Sequence, residues 1–292
     1  MRSGFCAIVG RPNVGKSTLI NGLIGEKVAI TAPVPQTTRH AIRGILHEPG
    51  VQVVIVDTPG LHKPKTILGA RLNEVARDAL SGVDCVVWLV DGSVGIGKGD
   101  LFIASLLRES GLPVIACLNK VDAFARRRQL PALQRLAAMG EWDEVVPLSA
   151  LGGEHVDLLR ELIVARMPEG PALYGEEVVT DQTDDRRISE AIREKAIRLM
   201  REEVPHSIAT VVEDVVAGDS EGVLVVSATI YVERDSQKGI VIGHGGEVLR
   251  AIGEQARPEI EELLGSRVYL DLRVKLMKEW QRDPRKLQRL GY

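Results

Sequence analysis

The sequence predicts an α/β domain on a mostly parallel six-stranded sheet, followed by a smaller α+β domain. Three observations carry this. Short apolar runs alternate with amphipathic stretches from residue 1 to about 167, the pattern breaks at Pro168-Glu169-Gly170-Pro171, and a new order, α-β-β-α-α-β, begins near residue 186. Strands alternating with helices build a parallel sheet covered on both faces, and strands buried on both faces read as continuous apolar runs. A chain of 292 residues is long enough for two such cores.

The first run, Phe5-Cys6-Ala7-Ile8-Val9, leads into Gly10-Arg11-Pro12-Asn13-Val14-Gly15-Lys16-Ser17 and then a helical stretch. Residues 40–47 and 51–57 flank Glu48-Pro49-Gly50 and read as a hairpin, which makes one edge strand antiparallel. Runs at 83–90, 112–118 and 145–148 supply further buried strands, with covering helices near 99–110, 126–139 and 153–166. The domains are bounded at 1–170 and 186–292, with a polar, acidic linker over 171–185. In the second domain a helix over 186–203 aligns Ile188, Ile192, Ala196 and Leu199. Strands follow at 208–216 and 222–233, helices at 235–242 and 247–264, and a last strand at 267–275 before a basic C-terminal helix.

Apolar residues make up 45% and charged residues 26% of the chain, a soluble, globular composition. No apolar run approaches a membrane span, and the N-terminus enters a strand rather than a signal peptide. Cys6, Cys85 and Cys117 each sit in an apolar strand-like run, so buried thiols in a reducing cytoplasm are expected. A net charge of −3 argues against indiscriminate nucleic-acid binding. Residues 267–292 depart from that mean, with eight Lys and Arg against three Asp and Glu.

Gly10 to Ser17 is a glycine-rich phosphate loop between a strand and a helix. Its backbone N–H groups can cradle a polyphosphate while Lys16 reaches the terminal phosphates, Ser17 meets Mg²⁺, and Thr18 follows on the first helical turn. Asn119-Lys120-Val121-Asp122 closes the strand expected at 112–118 and chooses the base. The Asp122 carboxylate can accept from N1–H and the 2-amino group of guanine; adenine lacks both donors, at a cost of about 1.5–3 kcal/mol per lost charge-assisted bond. Asn119 would brace the loop, the Lys120 stem would cover the base, and Ser149-Ala150-Leu151 would offer a backbone N–H to the guanine carbonyl. Asp57-Thr58-Pro59-Gly60 places an aspartate for Mg²⁺ and Ser17, and lets Gly60 donate to the γ-phosphate. Gln36-Thr37-Thr38-Arg39 lies in an irregular stretch able to bring a threonine, Thr38 before Thr37, onto Mg²⁺.

These elements resemble the translation-factor-related class of small GTPases over residues 4 to about 166. Leu61 stands where Ras-like members carry a water-orienting glutamine, so slow intrinsic hydrolysis is expected. In relatives with this substitution an asparagine at the place of Asn13 coordinates K⁺. The resemblance therefore implies K⁺-stimulated hydrolysis through Asn13, beside Mg²⁺ and GTP or GDP.

In the second domain Gly243-His244-Gly245-Gly246 joins two helices, with Ile240, Ile242 and Leu249 beside it. Glycines let a sugar-phosphate backbone approach closely. The turn and the element order resemble a type II KH domain, which clamps about four nucleotides of single-stranded RNA. His244-Gly245 lacks the usual lysine or arginine, while Lys275, Lys278 and Arg282 add positive charge nearby in sequence. Trp280 is read first as packing, with base stacking as the alternative.

The chain as a whole resembles the Era-like GTPases of the TrmE-Era-EngA class. This resemblance implies a monomeric bacterial GTPase that binds the 3′ end of 16S rRNA, assists assembly of the 30S subunit, and lies in the cytoplasm or peripherally at the inner membrane. The alternatives are a membrane-associated cell-cycle GTPase and a tRNA-modification GTPase of the same class.

Overall fold

The computed structural model describes residues 1–32, 34 and 37–292. Two compact units are formed, one within residues 1–181 and one built chiefly from Gln182–Tyr292.

The first unit carries strands β1 (Arg2–Gly10), β2 (Ile42–Glu48), β3 (Val51–Asp57), β4 (Cys85–Asp91), β5 (Val114–Asn119) and β6 (Glu144–Pro147). They form one sheet in the order β2-β3-β1-β4-β5-β6. Only β2 is antiparallel, paired Ile42 to Asp57 through Glu48 to Val51 across the expected hairpin. The helices are α1 (Lys16–Ile24), α2 (Ile67–Asp78), α3 (Lys98–Ser110), α4 (Gln129–Ala137) and α5 (Val156–Ala165). β4 and β5 are buried at every position, which explains their unbroken apolar runs. One core lies under α1 and α5 around Ile8, Leu19, Val87 and Leu159. The other, around Val9, Trp88, Ile103 and Leu136, lies under α3 and α4. The three cysteines are buried and unpaired.

Two sequence expectations need correction here. No helix was expected over 67–78, yet α2 forms there with Leu68, Leu72 and Ala76 on its buried side. The segment expected as a linker is bound to the first unit as far as Asp181. Gln52, 1% exposed, accepts from Leu173 N (2.6 Å) and Tyr174 N (2.9 Å) and donates to Tyr174 O. Ile45 N donates to Val179 O (2.9 Å), and Arg43 pairs with Asp181 (2.8 Å). The segment thus satisfies backbone groups along the open edge of β2, which a free linker would leave to water.

The second unit holds α6 (Asp184–Leu199), α7 (Val204–Ser207), β7 (Ala209–Ala217), β8 (Val223–Val232), α8 (Asp235–Ile242), α9 (Glu247–Leu264), β9 (Arg267–Leu276) and α10 (Pro284–Arg289). The helix expected over 186–203 ends early: α6 stops at Leu199 as Met200 turns extended, and a separate short helix, α7, starts only at Val204 with Pro205 in its first turn. Thr183 caps the start of α6. β7 and β8 pair antiparallel, β8 and β9 parallel. Ile188, Ile192 and Ala196 of α6 meet Ile252, Ala256 and Ile260 of α9 and Val226, Ala228 and Ile230 of β8 in one core. Leu199, expected in that stripe, is 38% exposed at the helix end. Trp280 is fully buried, donates to Ser207 O (3.0 Å) and stacks on Tyr292, so it is packing.

Among the described residues no helix is long and apolar enough to cross a membrane.

Candidate functional site

The C-terminal ends of β1, β3, β4, β5 and β6 meet at one edge of the sheet, where open α/β sheets hold ligands. After β1 the loop to Lys16 turns on two left-handed residues, Asn13 (φ 65°) and Gly15 (φ 102°). A Cβ at Gly15 would run into the side-chain amide of Asn119. Asn119, 1% exposed, donates from Nδ2 to Val14 O (2.7 Å) and accepts at Oδ1 from Ala150 N (2.9 Å). One side chain therefore ties the phosphate loop to the loop after β6.

Lys120 adds a second tie, donating from Nζ to Asn13 O (2.7 Å) and to Asp91 (2.6 Å). The Asp91 carboxyl sits below its ordinary range: burial opposes the shift, and the Lys120 and Ser93 hydrogen bonds outweigh it. Asp122 is exposed, and one of its oxygens accepts from Ser149 Oγ at 2.5 Å, which fixes the orientation of the carboxylate. Ser149 N and Ala150 N are engaged by Glu154 O and Asn119, while Leu151 is 84% exposed.

Lys16 is 6% exposed, with Nζ 3.0 Å from Arg11 O and 3.3 Å from Gly10 O. Burial pulls its amine down to about 8, partly opposed by Asp57. Ser17 Oγ donates to Asp57 Oδ2 (2.8 Å) and lies 2.9 Å from Thr38 Oγ1, which also donates to Oδ2 (3.0 Å). Asp57 is fully buried, and its Oδ1 has no hydrogen-bond partner among the described residues. Burial raises its carboxyl, against the pull of Lys16, Ser17 and Thr38. A buried carboxylate with an unmet oxygen is costly unless a cation faces it. Ser17 Oγ, Thr38 Oγ1 and a carboxylate that still has one oxygen unmet form a set of hard oxygen ligands next to a phosphate loop, and this set fits Mg²⁺.

Gly60 packs so closely on Pro12 that a Cβ would strike the Pro12 backbone. Leu61 N donates to Gly10 O (3.2 Å), and Leu61, 1% exposed, joins the core with Ala76 and Ile103. Nearly buried and with no polar atom in its side chain, it cannot orient a water there. The Arg11 guanidinium, expected among the phosphate ligands, is held on Asp100 (2.9 Å) and Gly95 O (3.2 Å), so Arg11 keeps only its backbone for that role. Gln36 of the expected switch segment lies outside the described residues, and Thr38 is 6% exposed beside Asp57. Asp91 was missed by sequence reasoning. The available signal was a carboxylate closing an apolar strand at the ligand-bearing edge of a parallel sheet.

In the second unit α8 and α9 are joined at Gly243 (φ 75°), Gly245 (φ 58°) and Gly246 (φ 82°). A Cβ at Gly243 would strike Val248, whereas those at Gly245 and Gly246 would point into open space. Ile240 is 51% exposed beside this turn, Ile242 is half-buried, and His244 is exposed. Lys278 and Arg282 are exposed, while Lys275 spends its charge on Glu213 (3.1 Å).

Comparison with known proteins follows the same division. A family model described as 50S ribosome-binding GTPase matches residues 5–120, and a KH-domain model matches residues 203–281. GTPase Era of Mycobacterium bovis BCG is 48% identical over 297 aligned positions, covering 99% of this chain and 98% of that protein. The chain belongs to the Era family of GTPases. GTPase Era of Corynebacterium diphtheriae is likewise 48% identical, across 100% of this chain and 97% of its own length. Among solved structures, Era in complex with MgGDPNP and nucleotides 1506–1542 of 16S ribosomal RNA superposes with a TM-score of 0.97 at 38% identity, covering 100% of this chain and 99% of that one. Aquifex aeolicus Era bound to GDP·AlF4⁻ gives a TM-score of 0.96 at the same identity, with the same coverage of both chains. Era-family membership makes the chain a P-loop GTPase with a C-terminal KH domain.

Proposed function

We propose that this Era-family GTPase is a GTP/GDP switch that binds the 3′ end of 16S rRNA through its KH unit and assists assembly of the 30S subunit. It acts as a monomer in the cytoplasm, with peripheral association at the inner membrane as the alternative. The observation that carries the nucleotide half is the Ser17–Thr38–Asp57 oxygen cluster, bonded through Asp57 Oδ2 and leaving the buried Oδ1 unmet. Support for the RNA half comes from the open Gly245–Gly246 turn and from full-length similarity to an Era captured with 16S RNA.

In this reading the N–H groups of residues 10–18 wrap the phosphates, and Lys16 moves from the loop carbonyls to the terminal oxygens. Ser17, Thr38 and Asp57 would hold Mg²⁺, which when bound neutralises charge on the phosphates. Asp122 accepts from the guanine edge, Lys120 covers the base, and Ser149-Ala150-Leu151 closes it. Gly60 donates its N–H to the γ-phosphate. With Leu61 buried, no side chain at that position orients the attacking water; Asn13 would hold K⁺, which would supply the missing positive charge. In the KH unit Gly243–Gly246 approach the RNA backbone, Ile240 and Ile242 support the bases, and Lys278 and Arg282 meet phosphates. Lys275 does so less, being paired with Glu213.

The test is GTP turnover with and without an oligonucleotide of the 16S 3′ end, in K⁺ and in Na⁺. RNA stimulation and a preference for K⁺ that Asn13→Ala abolishes are expected. Equal turnover in all four conditions would overturn both the RNA coupling and the K⁺ role.

A further inference from the structure

A groove of about 640 Å³ lies in the first unit against the back of the phosphate loop. Its walls are apolar: Pro12, Leu61, Pro64, Ala70 and Phe102. The volume is that of a small-molecule site. Its charges are one-sided. Arg11 is neutralised by Asp100, which leaves Lys63, Arg77 and Lys98 against the single carboxylate of Glu74. Arg77 lies over the Phe102 ring at 5.9 Å, so an exposed aromatic face and a guanidinium are presented together. The guanine and Mg²⁺ chemistry does not use Lys63, Ala70, Arg77, Lys98 or Phe102.

We infer that this groove is a second ligand site, which takes a small apolar molecule bearing one anionic group and couples its occupancy to GTP turnover. An apolar body fills the space between Pro64, Ala70 and Phe102, and the anion meets Lys63 and Lys98 at the rim. A neutral apolar molecule would leave that positive field unanswered, and a fully polar anion would forfeit the walls. Coupling follows from the floor. Leu61 is bonded through its N–H to Gly10 O, and Pro12 is packed on Gly60, so a molecule seated on Leu61 and Pro12 constrains the segment that must move for Gly60 to meet the γ-phosphate. A ligand that binds the two positions of this segment unequally shifts turnover by that difference.

The test uses the full chain with GDP bound and two dyes that differ by one sulfonate: 8-anilinonaphthalene-1-sulfonate and the neutral N-phenyl-1-naphthylamine. Fluorescence titration is expected to give one saturable site at least tenfold tighter for the sulfonate. The double variant Lys63→Gln/Lys98→Gln should reduce the sulfonate to the affinity of the neutral dye. Ala70→Trp, which fills the groove, should weaken both dyes at least tenfold while leaving the melting temperature and GDP affinity unchanged; should it melt early, Phe102→Ala serves instead. Steady-state GTP turnover should change at least threefold at saturating sulfonate in the wild type and not in the filled variant. Absence of saturable binding, equal affinity for both dyes, or binding indifferent to Ala70→Trp and Phe102→Ala would overturn the site. Full occupancy without a change in turnover would overturn the coupling. Dye binding is read without GTP hydrolysis, so failure of the site and failure of the proposed switch are distinguishable.

Discussion

Lys16 is a buried amine held near pKa 8 by desolvation, against an ordinary 10.5. In protein freed of nucleotide about half of these side chains are neutral at pH 8 and roughly nine-tenths at pH 9. The polyphosphate needs the ammonium, so Mg·GDP binding should draw in about half a proton at pH 8, and the Kd should rise about tenfold between pH 7 and pH 9. The same displacement governs folding with the opposite sign. Between about 8 and 10.5 the unfolded chain keeps a proton that the folded, nucleotide-free protein has lost, so its stability rises with pH across that window, by roughly 3 kcal/mol in all. Isothermal titration calorimetry at pH 8 in Tris and in HEPES, whose ionisation enthalpies differ, measures the proton uptake directly. Lys16→Met should abolish the buffer dependence along with most of the affinity. Identical binding enthalpies in the two buffers, with a Kd flat from pH 7 to pH 9, would refute the reasoning.

Four further outcomes are expected. Asn119→Ala strands the Val14 carbonyl and the Ala150 N–H inside the protein, at roughly 1–3 kcal/mol each, so calorimetry should show a lower melting temperature and GDP affinity should fall at least about 100-fold. Asp122→Asn replaces an acceptor by a donor and should cost roughly 2–3 kcal/mol of guanine affinity while improving xanthine nucleotides, read by competition against a fluorescent GDP analogue. Asp91→Asn frees Lys120 from its 2.6 Å partner and should weaken nucleotide binding about tenfold with little change in melting, whereas a purely structural Asp91 would show the reverse. Gly245→Asp adds a negative charge at an open, left-handed position and should weaken RNA binding at least about tenfold in gel-shift assays while leaving GTP binding intact. The same change at Gly243 would collide with Val248 and confound charge with folding.

Much of this protein was legible in its sequence because its signals are local. A phosphate loop needs its glycines and lysine within eight consecutive residues, and a strand buried on both faces must be apolar throughout, as 85–90 is. The same holds for Asn119-Lys120-Val121-Asp122 after β5 and for Gly243-His244-Gly245-Gly246 between α8 and α9, where backbone conformation and side-chain chemistry are set by neighbours in the chain. Helix α2 was less legible: its apolar positions sit among Arg71, Asn73, Glu74 and Arg77, directly after an irregular, Pro- and Lys-containing loop.

Other features depend on partners far away in sequence, and only the tertiary structure decided them. Residues 171–181 read as a polar linker, yet Gln52 and the open edge of β2 supply hydrogen-bond partners more than a hundred residues away. Arg11 reads as a phosphate ligand until Asp100, in the first turn of α3, claims its guanidinium. Lys275 reads as a free cation until β7 and β9 bring Glu213 beside it. Asp91 gains its role only where β4 and β5 end side by side, and Asp57 becomes a metal-seeking carboxylate only because folding buries one of its oxygens without a partner. The sequence by itself determined which chemical groups the protein carries and the local backbone that presents them. Burial and long-range pairing determined which of those groups remain available, because desolvation and the nearest opposite charge are properties of the packed chain.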